Sequence, residues 1–130
     1  MKIAADIMTA KPECLHVEDR LEEAWQLMRH KRIRHIPITK RDGTLVGLLT
    51  HRNLLINAQD TSHLSLPVAE IMDTDLDTVQ DTDDLKDVAV KLYDRKVGCV
   101  PVLQGDDLVG IITSADFVAL AKRLLEEAGD

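Results

Sequence analysis

Side chains that commonly bind metals or act as nucleophiles occur along this chain without the spacing that such chemistry needs. Acidic residues alternate from Asp73 to Asp84 in the frame of an EF-hand loop, but Thr78 occupies the glycine position and Asp84 replaces the bidentate glutamate. The histidines show no HxxxH or HExxH spacing, and the two cysteines form no CxxC pair. Ser114 lacks the glycines of a nucleophile elbow. We therefore expect no metal site and no catalytic residues, and we expect that the protein is not an enzyme.

Another set of polar residues follows two short apolar runs. Thr113 and Asp116 come directly after one run, and Thr50 and Asn53 come after an earlier one. Thr113 with Asp116 has the pattern of a capping box, in which a hydroxyl and a carboxylate satisfy backbone N–H groups at the start of a helix. The sequence therefore predicts a strand that turns into a helix at each of these places.

Composition excludes several classes of partner. One Trp, one Tyr and one Phe leave too few aromatic rings for stacking the bases of single-stranded nucleic acid. A net charge of −7 argues against a nucleic-acid duplex or an anionic membrane as partner, although a local basic pocket could still hold a small anion. No apolar run has the length of a transmembrane helix, and the first ten residues lack the apolar stretch typical of a secretory signal. We expect a cytoplasmic protein with reduced cysteines.

The chain contains the same pattern twice, which is the strongest signal in the sequence. Three segments of the first half recur in the second half in the same order: Asp6-Ile-Met as Glu70-Ile-Met, Ile36-Pro-Ile as Val100-Pro-Val, and Leu45-Val-Gly-Leu-Leu-Thr as Leu108-Val-Gly-Ile-Ile-Thr. One residue is lost between the second and third segments, at a place where a hairpin turn tolerates it.

Each copy predicts an α-β-β-α unit. Apolar residues recur at helical spacing after Leu21 and after Leu85, and two β-branched runs follow, joined by a turn at Arg41-Asp-Gly or Gly105-Asp-Asp. Because one copy is too small to bury a sufficient core, we expect an α+β fold in which two repeats, related by a pseudo-twofold axis, pack through their sheets. We place the first repeat at residues 1–58, a linker at 59–66 and the second repeat at 67–130.

These motifs resemble a tandem pair of CBS domains, the arrangement called a Bateman module. The resemblance rests on Asp6-Ile-Met-Thr, Ile33-Arg-His-Ile-Pro-Ile, Leu45-Val-Gly-Leu-Leu-Thr-His-Arg-Asn and their counterparts in the second half. It implies a regulatory sensor that binds AMP, ADP, ATP or S-adenosylmethionine, with or without magnesium, in the cleft between the repeats. It also implies a homodimer that signals through a change of shape or of dimer to a separate, unknown effector protein.

The resemblance assigns ribose binding to Asp116, with a further contact from the Thr113 hydroxyl. A carboxylate has two acceptor oxygens and can accept both ribose hydroxyls in charge-assisted hydrogen bonds, and a capping role is compatible with this one. Asn53, at the corresponding place in the first copy, offers one acceptor and no charge, so we expect two unequal sites. The weaker site comprises Thr50, Asn53, Val97 and Gly98.

We expect adenine to lie in an apolar slot formed by Ile111, Ala115, Ile33 and Ile36. Pro37 and Pro101 cannot donate to a sheet ladder, so we expect both to lie in edge strands or strand ends that leave backbone groups free for the ligand. The alternative is that both prolines only mark sheet edges.

For the phosphates, the resemblance points to Arg34, His35 and Arg52, for which solvated surface residues are the alternative. The second copy has Gly98 and Cys99 in place of the first two. The basic residues and the better ribose residue therefore come from different copies.

A different class of function also fits the sequence, namely a structural dimerisation or interaction module that binds no ligand. Asn53 and the lack of cations in the second copy favour this alternative. Asp116 together with Thr113 favours ligand binding.

Overall fold

The chain folds into two compact units. The structure, a computed structural model, describes residues 2–129 and within that range contains four α-helices and seven β-strands in two sheets. The first unit consists of residues 12–76, and the second unit consists of residues 77–129 with residues 2–11 from the start of the chain. The predicted α+β class and the presence of two similar units are confirmed.

Each unit is built on a small mixed sheet. In the first unit, β2 (Leu15–His16) runs parallel to β3 (His35–Thr39), which runs antiparallel to β4 (Leu45–Thr50). In the second unit, the order is β1 (Thr9–Ala10), β7 (Asp107–Thr113), β6 (Cys99–Gln104) and β5 (Val79–Gln80), with only the last pair parallel. The hairpins β3–β4 and β6–β7 lie where they were predicted. The two-residue strands were not predicted, because so short a strand has no alternation to detect.

Two helices follow the hairpins and two precede them. They are α1 (Leu21–Lys31), α2 (His51–Asn57), α3 (Leu85–Asp94) and α4 (Ser114–Glu127). Helix α1 ends at Arg32, which has a left-handed backbone (φ 53°) and donates its N–H to the Met28 carbonyl. Short 3-10 segments occupy Ala4–Asp6, Thr61–Ser65 and Val68–Glu70, so the predicted linker contains a short 3-10 helix.

Pro37 and Pro101 lie in interior strands, and the prediction that they occupy edge strands or strand ends is wrong. β3 lies between β2 and β4, and β6 lies between β5 and β7. The short parallel ladders begin only at the residue after each proline, at Ile38 and Val102. The missing proline N–H therefore interrupts no hydrogen bond to the short strand.

The compact units differ from the sequence repeats at their ends. Met8 packs on Gly110 and Met72 packs on Gly47, and a Cβ on either glycine would overlap the methionine sulfur. The Asp-Ile-Met segment of the first copy thus belongs to the second unit, and the Glu-Ile-Met segment of the second copy belongs to the first unit. The boundaries 1–58, 59–66 and 67–130 refer to the duplicated sequence pattern and stay a prediction.

Each unit has its own aliphatic core. Leu21, Ile36, Ile38, Leu49 and Leu54 are fully buried in the first unit, and Val88, Val100, Val102 and Ile112 are fully buried in the second. Helix α4 buries no residue completely and leaves apolar side chains exposed, including Val118, Leu124 and Leu125. Among the helices of residues 2–129, none is both long and apolar enough to cross a membrane.

Candidate functional site

Asp116 lies at the start of α4, directly after β7, and its carboxylate is half-buried. Its Oδ2 atom accepts hydrogen bonds from the backbone N–H of Thr113 at 2.7 Å and from the Thr113 hydroxyl at 3.3 Å. This is the carboxylate half of the predicted capping box. Within residues 2–129, no hydrogen bond uses Oδ1. One carboxylate oxygen therefore fixes the side chain, while the other can accept a hydrogen bond from a ligand.

Asn53 takes the corresponding position at the start of α2, and its acceptor is fully used. Asn53 Oδ1 accepts from Thr50 N at 2.7 Å and from Thr50 Oγ1 at 2.9 Å, which occupies both lone pairs. The Nδ2 amide donates to Asp73 Oδ1 at 3.4 Å. Asn53 thus offers a ribose hydroxyl no free acceptor, which supports the predicted inequality of the two sites.

Asp73 is a residue that the sequence reasoning missed. Its backbone exchanges hydrogen bonds with Leu48, each 2.9 Å long, and these hold its exposed carboxylate beside Asn53. The signal was available in the repeat, because Asp73 follows Glu70-Ile-Met as Thr9 follows Asp6-Ile-Met. The strand–helix junction of the first unit therefore has the Asp73 carboxylate beside it, whereas the junction of the second unit contains the Asp116 carboxylate. The two carboxylates come from different positions of the repeat.

The residues predicted for the adenine slot differ in their accessibility. Ala115 is exposed and Ile33 is half-buried, so both can contact a ligand, whereas Ile111 is only 8% exposed. Ile36 has no exposed surface and packs in the core of the first unit. The Ile36 side chain therefore does not line a slot, which corrects the prediction and leaves only its backbone available.

Val97 and Gly98 lie beside Thr113, in the same unit as Asp116. The backbone N–H of Ser114 donates to the Gly98 carbonyl at 3.2 Å, and Cys99 pairs with Thr113 in the sheet. The first unit repeats this arrangement, since His51 N donates to the Arg34 carbonyl at 2.8 Å. Burial, with the nearby Asp116 charge, raises the pKa of the Cys99 thiol to about 12.

The residues predicted to bind phosphate have different charge states. Arg34 and Arg52 are exposed guanidinium groups in the first unit. His35 is half-buried, and burial, followed by the charge of Arg34, lowers the pKa of His35 below its ordinary value of 6.5. His35 is therefore mainly neutral at pH 7, and of these three residues the two arginines carry the positive charge.

Each unit has a surface pocket at the same place in the repeat, between the helix before the hairpin and the start of the helix after it. The first-unit pocket has a volume of about 350 Å³ and includes Ile33 and Arg34 in its lining. The second-unit pocket has a volume of about 890 Å³ and includes Val97, Gly98 and Ser114. Over residues 2–129, no three His, Cys, Asp or Glu side chains cluster closely enough to hold a metal ion.

This chain matches a known protein family, curated relatives in sequence, and solved structures. The CBS domain family model matches twice, at residues 4–59 and 68–123. Hypoxic response protein 1 of Mycobacterium tuberculosis is 31% identical over 130 residues, which cover 98% of this chain and 89% of that protein. The chain also matches longer relatives, and it spans only 24% of the homoserine O-acetyltransferase of Methanococcus vannielii, to which it is 26% identical.

Two solved structures are similar over nearly the whole chain. A putative acetoin utilization protein (AcuB) from Vibrio cholerae is 38% identical with a TM-score of 0.89, covering 97% of this chain and 94% of that one. The CBS domain pair of protein MJ0100, in complex with 5′-methylthioadenosine and S-adenosyl-L-methionine, is 26% identical with a TM-score of 0.84, covering 92% and 95%. The chain therefore belongs to the CBS domain family and contains a tandem pair of CBS domains.

Proposed function

We propose that this protein is a regulatory sensor module that binds an adenosyl ligand through Asp116 and transmits its occupancy to a separate effector protein. The observation that carries the proposal is the half-exposed Asp116 carboxylate, whose Oδ2 is fixed by Thr113 while Oδ1 stays free to accept from a ribose hydroxyl. The adenosyl ligands of the similar MJ0100 pair support the same ligand class. No catalytic step is part of the proposal, and a cytoplasmic location stays a prediction.

The surroundings of Asp116 favour an adenosyl ligand with little negative charge at this site. Gly98 and Ser114 lie near Thr113, where the first unit has Arg34 and His51, so the second unit offers fewer cations to a phosphate. Asp116 itself repels an anion placed beside it. We therefore rank 5′-methylthioadenosine and S-adenosylmethionine above AMP, ADP and ATP for the Asp116 site, without a requirement for magnesium.

A thermal-shift screen of these five compounds, each with and without magnesium, tests the proposal. A ligand at 100 times its dissociation constant stabilises the folded protein by about 2.7 kcal/mol, which raises the melting temperature of a domain of this size by several degrees. The matched control is Asp116→Asn, because Asn53 shows that an amide preserves the hydrogen bonds to the threonine. A flat response to every compound, or an equal shift in the Asp116→Asn variant, would contradict the proposal.

A homodimer, which a purely structural module would also form, is supported by the exposed apolar side chains of α4. Leu125 and Val118 on α4 are 63% and 69% exposed and lie in one apolar groove with Ala121. We propose that a second copy of this chain covers this face of α4, since both copies offer the same apolar surface. Analytical ultracentrifugation should show a dimer for the wild type and a monomer for Leu125→Arg. A wild type that is monomeric at all concentrations would refute the dimer.

A further inference from the structure

Two methionines occupy equivalent places in the two units, each with its thioether sulfur against a glycine. Met8 packs on Gly110 in β7, and Met72 packs on Gly47 in β4. A Cβ on either glycine would overlap the sulfur, and it would also lie 2.9 Å from the Met8 Cγ or 2.8 Å from the Met72 Cγ. The glycine therefore provides the space that the sulfur fills, and each methionine side chain is in close contact with its strand.

Each of these methionines lies in a short segment whose beginning is anchored in the core. We call residues 4–10 and 68–73 the methionine segments. Their first residues, Ala4 and Val68, are fully buried. The N–H of the methionine donates to the carbonyl of that first residue, at 3.1 Å in the second unit and at 2.9 Å in the first. The beginning of each segment is thus fixed by burial and by a local hydrogen bond.

The residue after each methionine joins the segment to a strand of the sheet. Thr9 pairs with Ile111 in β7, and Asp73 exchanges two hydrogen bonds of 2.9 Å with Leu48 in β4. The glycine under the methionine directly precedes the paired residue of the strand. Because the methionine and the pairing residue are consecutive, a methionine that leaves its glycine also disturbs the pairing.

The methionines of the described residues differ in their access to solvent. Met8 and Met72 are both partly exposed, whereas Met28 is only 5% exposed and lies in the core of the first unit. The fourth methionine, Met1, lies outside the described residues. Because an oxidant dissolved in water reacts only with a sulfur that it can reach, Met8 and Met72 are the reactive positions among these three.

Peroxides oxidise the thioether of methionine to a sulfoxide. The sulfur attacks one oxygen of hydrogen peroxide with a lone pair, the O–O bond breaks, an S–O bond forms, and the second oxygen leaves as water after proton transfer. The sulfur loses two electrons and the peroxide gains them. The reaction therefore needs no further reagent.

The surroundings of both sulfurs fit a sulfoxide poorly. Met8 and Met72 pack against the aliphatic cores of their units, and the absence of a glycine Cβ gives each sulfur only the space that it already fills. A polar oxygen that is buried without a hydrogen-bond donor costs free energy, whereas water solvates it. Oxidation therefore favours a state in which the methionine has left its glycine.

We propose that Met8 and Met72 are modification sites for hydrogen peroxide or another peroxide, and that their conversion to sulfoxides releases the methionine segments from β7 and β4. Release of residues 68–73 also takes Asp73 away from Asn53, whose Nδ2 donates to it at 3.4 Å. The inference goes beyond the proposed function and does not depend on it, because no adenosyl ligand takes part. It assigns the chain a response to oxidants.

Peptide mapping by mass spectrometry after graded treatment with hydrogen peroxide tests the modification. Met8 and Met72 should each gain one oxygen atom at least about tenfold faster than Met28, because the core excludes the oxidant. After denaturation in urea, the three methionines should react at the same rate, which shows that the difference comes from the fold. Equal rates in the folded protein would overturn the assignment.

Amide hydrogen exchange of the oxidised protein tests the release. The N–H groups of Leu48 and Asp73, and that of Lys11, which donates to the Val109 carbonyl at 3.3 Å, should exchange at least about tenfold faster than in the untreated protein. The N–H groups within α1 and α3 should keep their protection, which excludes global unfolding. Sulfoxides at both positions with unchanged exchange at these three amides would contradict the release.

Leucine variants provide matched controls, since leucine has a similar volume and has no sulfur to oxidise. Met8→Leu should remove the exchange response at Lys11 and keep the response at Leu48, and Met72→Leu should do the reverse. Met28→Leu should leave both responses unchanged. A response that persists in the double variant Met8→Leu with Met72→Leu would overturn the inference, because oxidation elsewhere would then be its cause.

Enzymatic reduction of the oxidised wild type gives a test that does not depend on the folding of these variants. Methionine sulfoxide reductases, one for each sulfoxide epimer, convert the sulfoxide back to the thioether. The treated protein should therefore recover the slow exchange of Leu48 and Asp73. Exchange that stays fast after mass spectrometry shows both sulfoxides reduced would contradict the proposal.

Discussion

Replacing Asn53 by aspartate places a second carboxylate beside Asp73. The resulting change in stability tests whether Asp73 is the reason that the first unit has an amide at the position of Asp116. In the wild type, Asn53 Nδ2 donates to Asp73 Oδ1 at 3.4 Å, while Asn53 Oδ1 accepts from Thr50. Aspartate keeps the acceptor for Thr50 but exchanges the N–H donor for a negative oxygen. The attractive contact with Asp73 therefore becomes a repulsive one.

The distance sets the size of the effect. Two unit charges 3.4 Å apart repel each other by about 1 kcal/mol in water and by about 5 kcal/mol at an effective dielectric constant of about 20. Asp73 is exposed and Asn53 is half-buried, so the lower figure applies more closely. With about 1 kcal/mol for the lost hydrogen bond, we expect Asn53→Asp to lower the free energy of unfolding by about 2 kcal/mol at pH 7 and low salt.

Urea denaturation followed by circular dichroism measures this loss. About half of it should disappear in about 1 M sodium chloride, where the Debye length is about 3 Å. The double variant Asn53→Asp with Asp73→Asn should recover most of the stability, because it restores one carboxylate and one amide in exchanged positions. An unchanged stability in Asn53→Asp, or a loss that neither salt nor Asp73→Asn relieves, would refute the reasoning.

Three further outcomes follow from the packing and from the shifted pKa values. Gly110→Ala should cost about 1–3 kcal/mol of stability in thermal melts, because the new methyl group overlaps the Met8 sulfur, and Met8→Ala in the same background should recover part of it. Because folding lowers the pKa of His35, the folded protein should keep its full stability above about pH 6.5 and lose stability as the pH falls from there towards the lowered pKa. In urea titrations at several pH values, His35→Gln should make this loss of stability at low pH smaller. A thiol reagent at pH 8 should modify the exposed Cys14 in the folded protein and reach Cys99, whose pKa is about 12, only after denaturation.

Much of the local structure could be predicted from the sequence, because it depends on neighbouring residues. The helices beginning at Leu21 and Leu85 follow from the spacing of apolar residues, and both hairpins follow from their turns. Thr113 with Asp116 was predicted as a capping box, and in the structure the Asp116 carboxylate accepts the Thr113 N–H as that motif requires. These features need no information about distant parts of the chain.

The features that depend on distant segments were not predicted correctly. Pro37 is in an interior strand because the two-residue strand Leu15–His16 pairs beside it, and so short a strand has no sequence pattern. Asp73 reaches Asn53 only because its segment pairs with Leu48 across the first unit. Ile36 was assigned to a ligand slot, although an alternating strand pattern does not say which face the core covers.

Calorimetry with 5′-methylthioadenosine and its 2′-deoxy analogue tests most directly whether the Asp116 carboxylate binds the ribose hydroxyls. The wild type should bind the deoxy analogue about 10- to 100-fold more weakly, the range expected for one lost hydrogen bond to a charged group. Asp116→Asn should bind both compounds weakly and with nearly equal affinity, since the charge that distinguishes them is gone. The account is contradicted if the variant still prefers the ribose form by the same factor as the wild type.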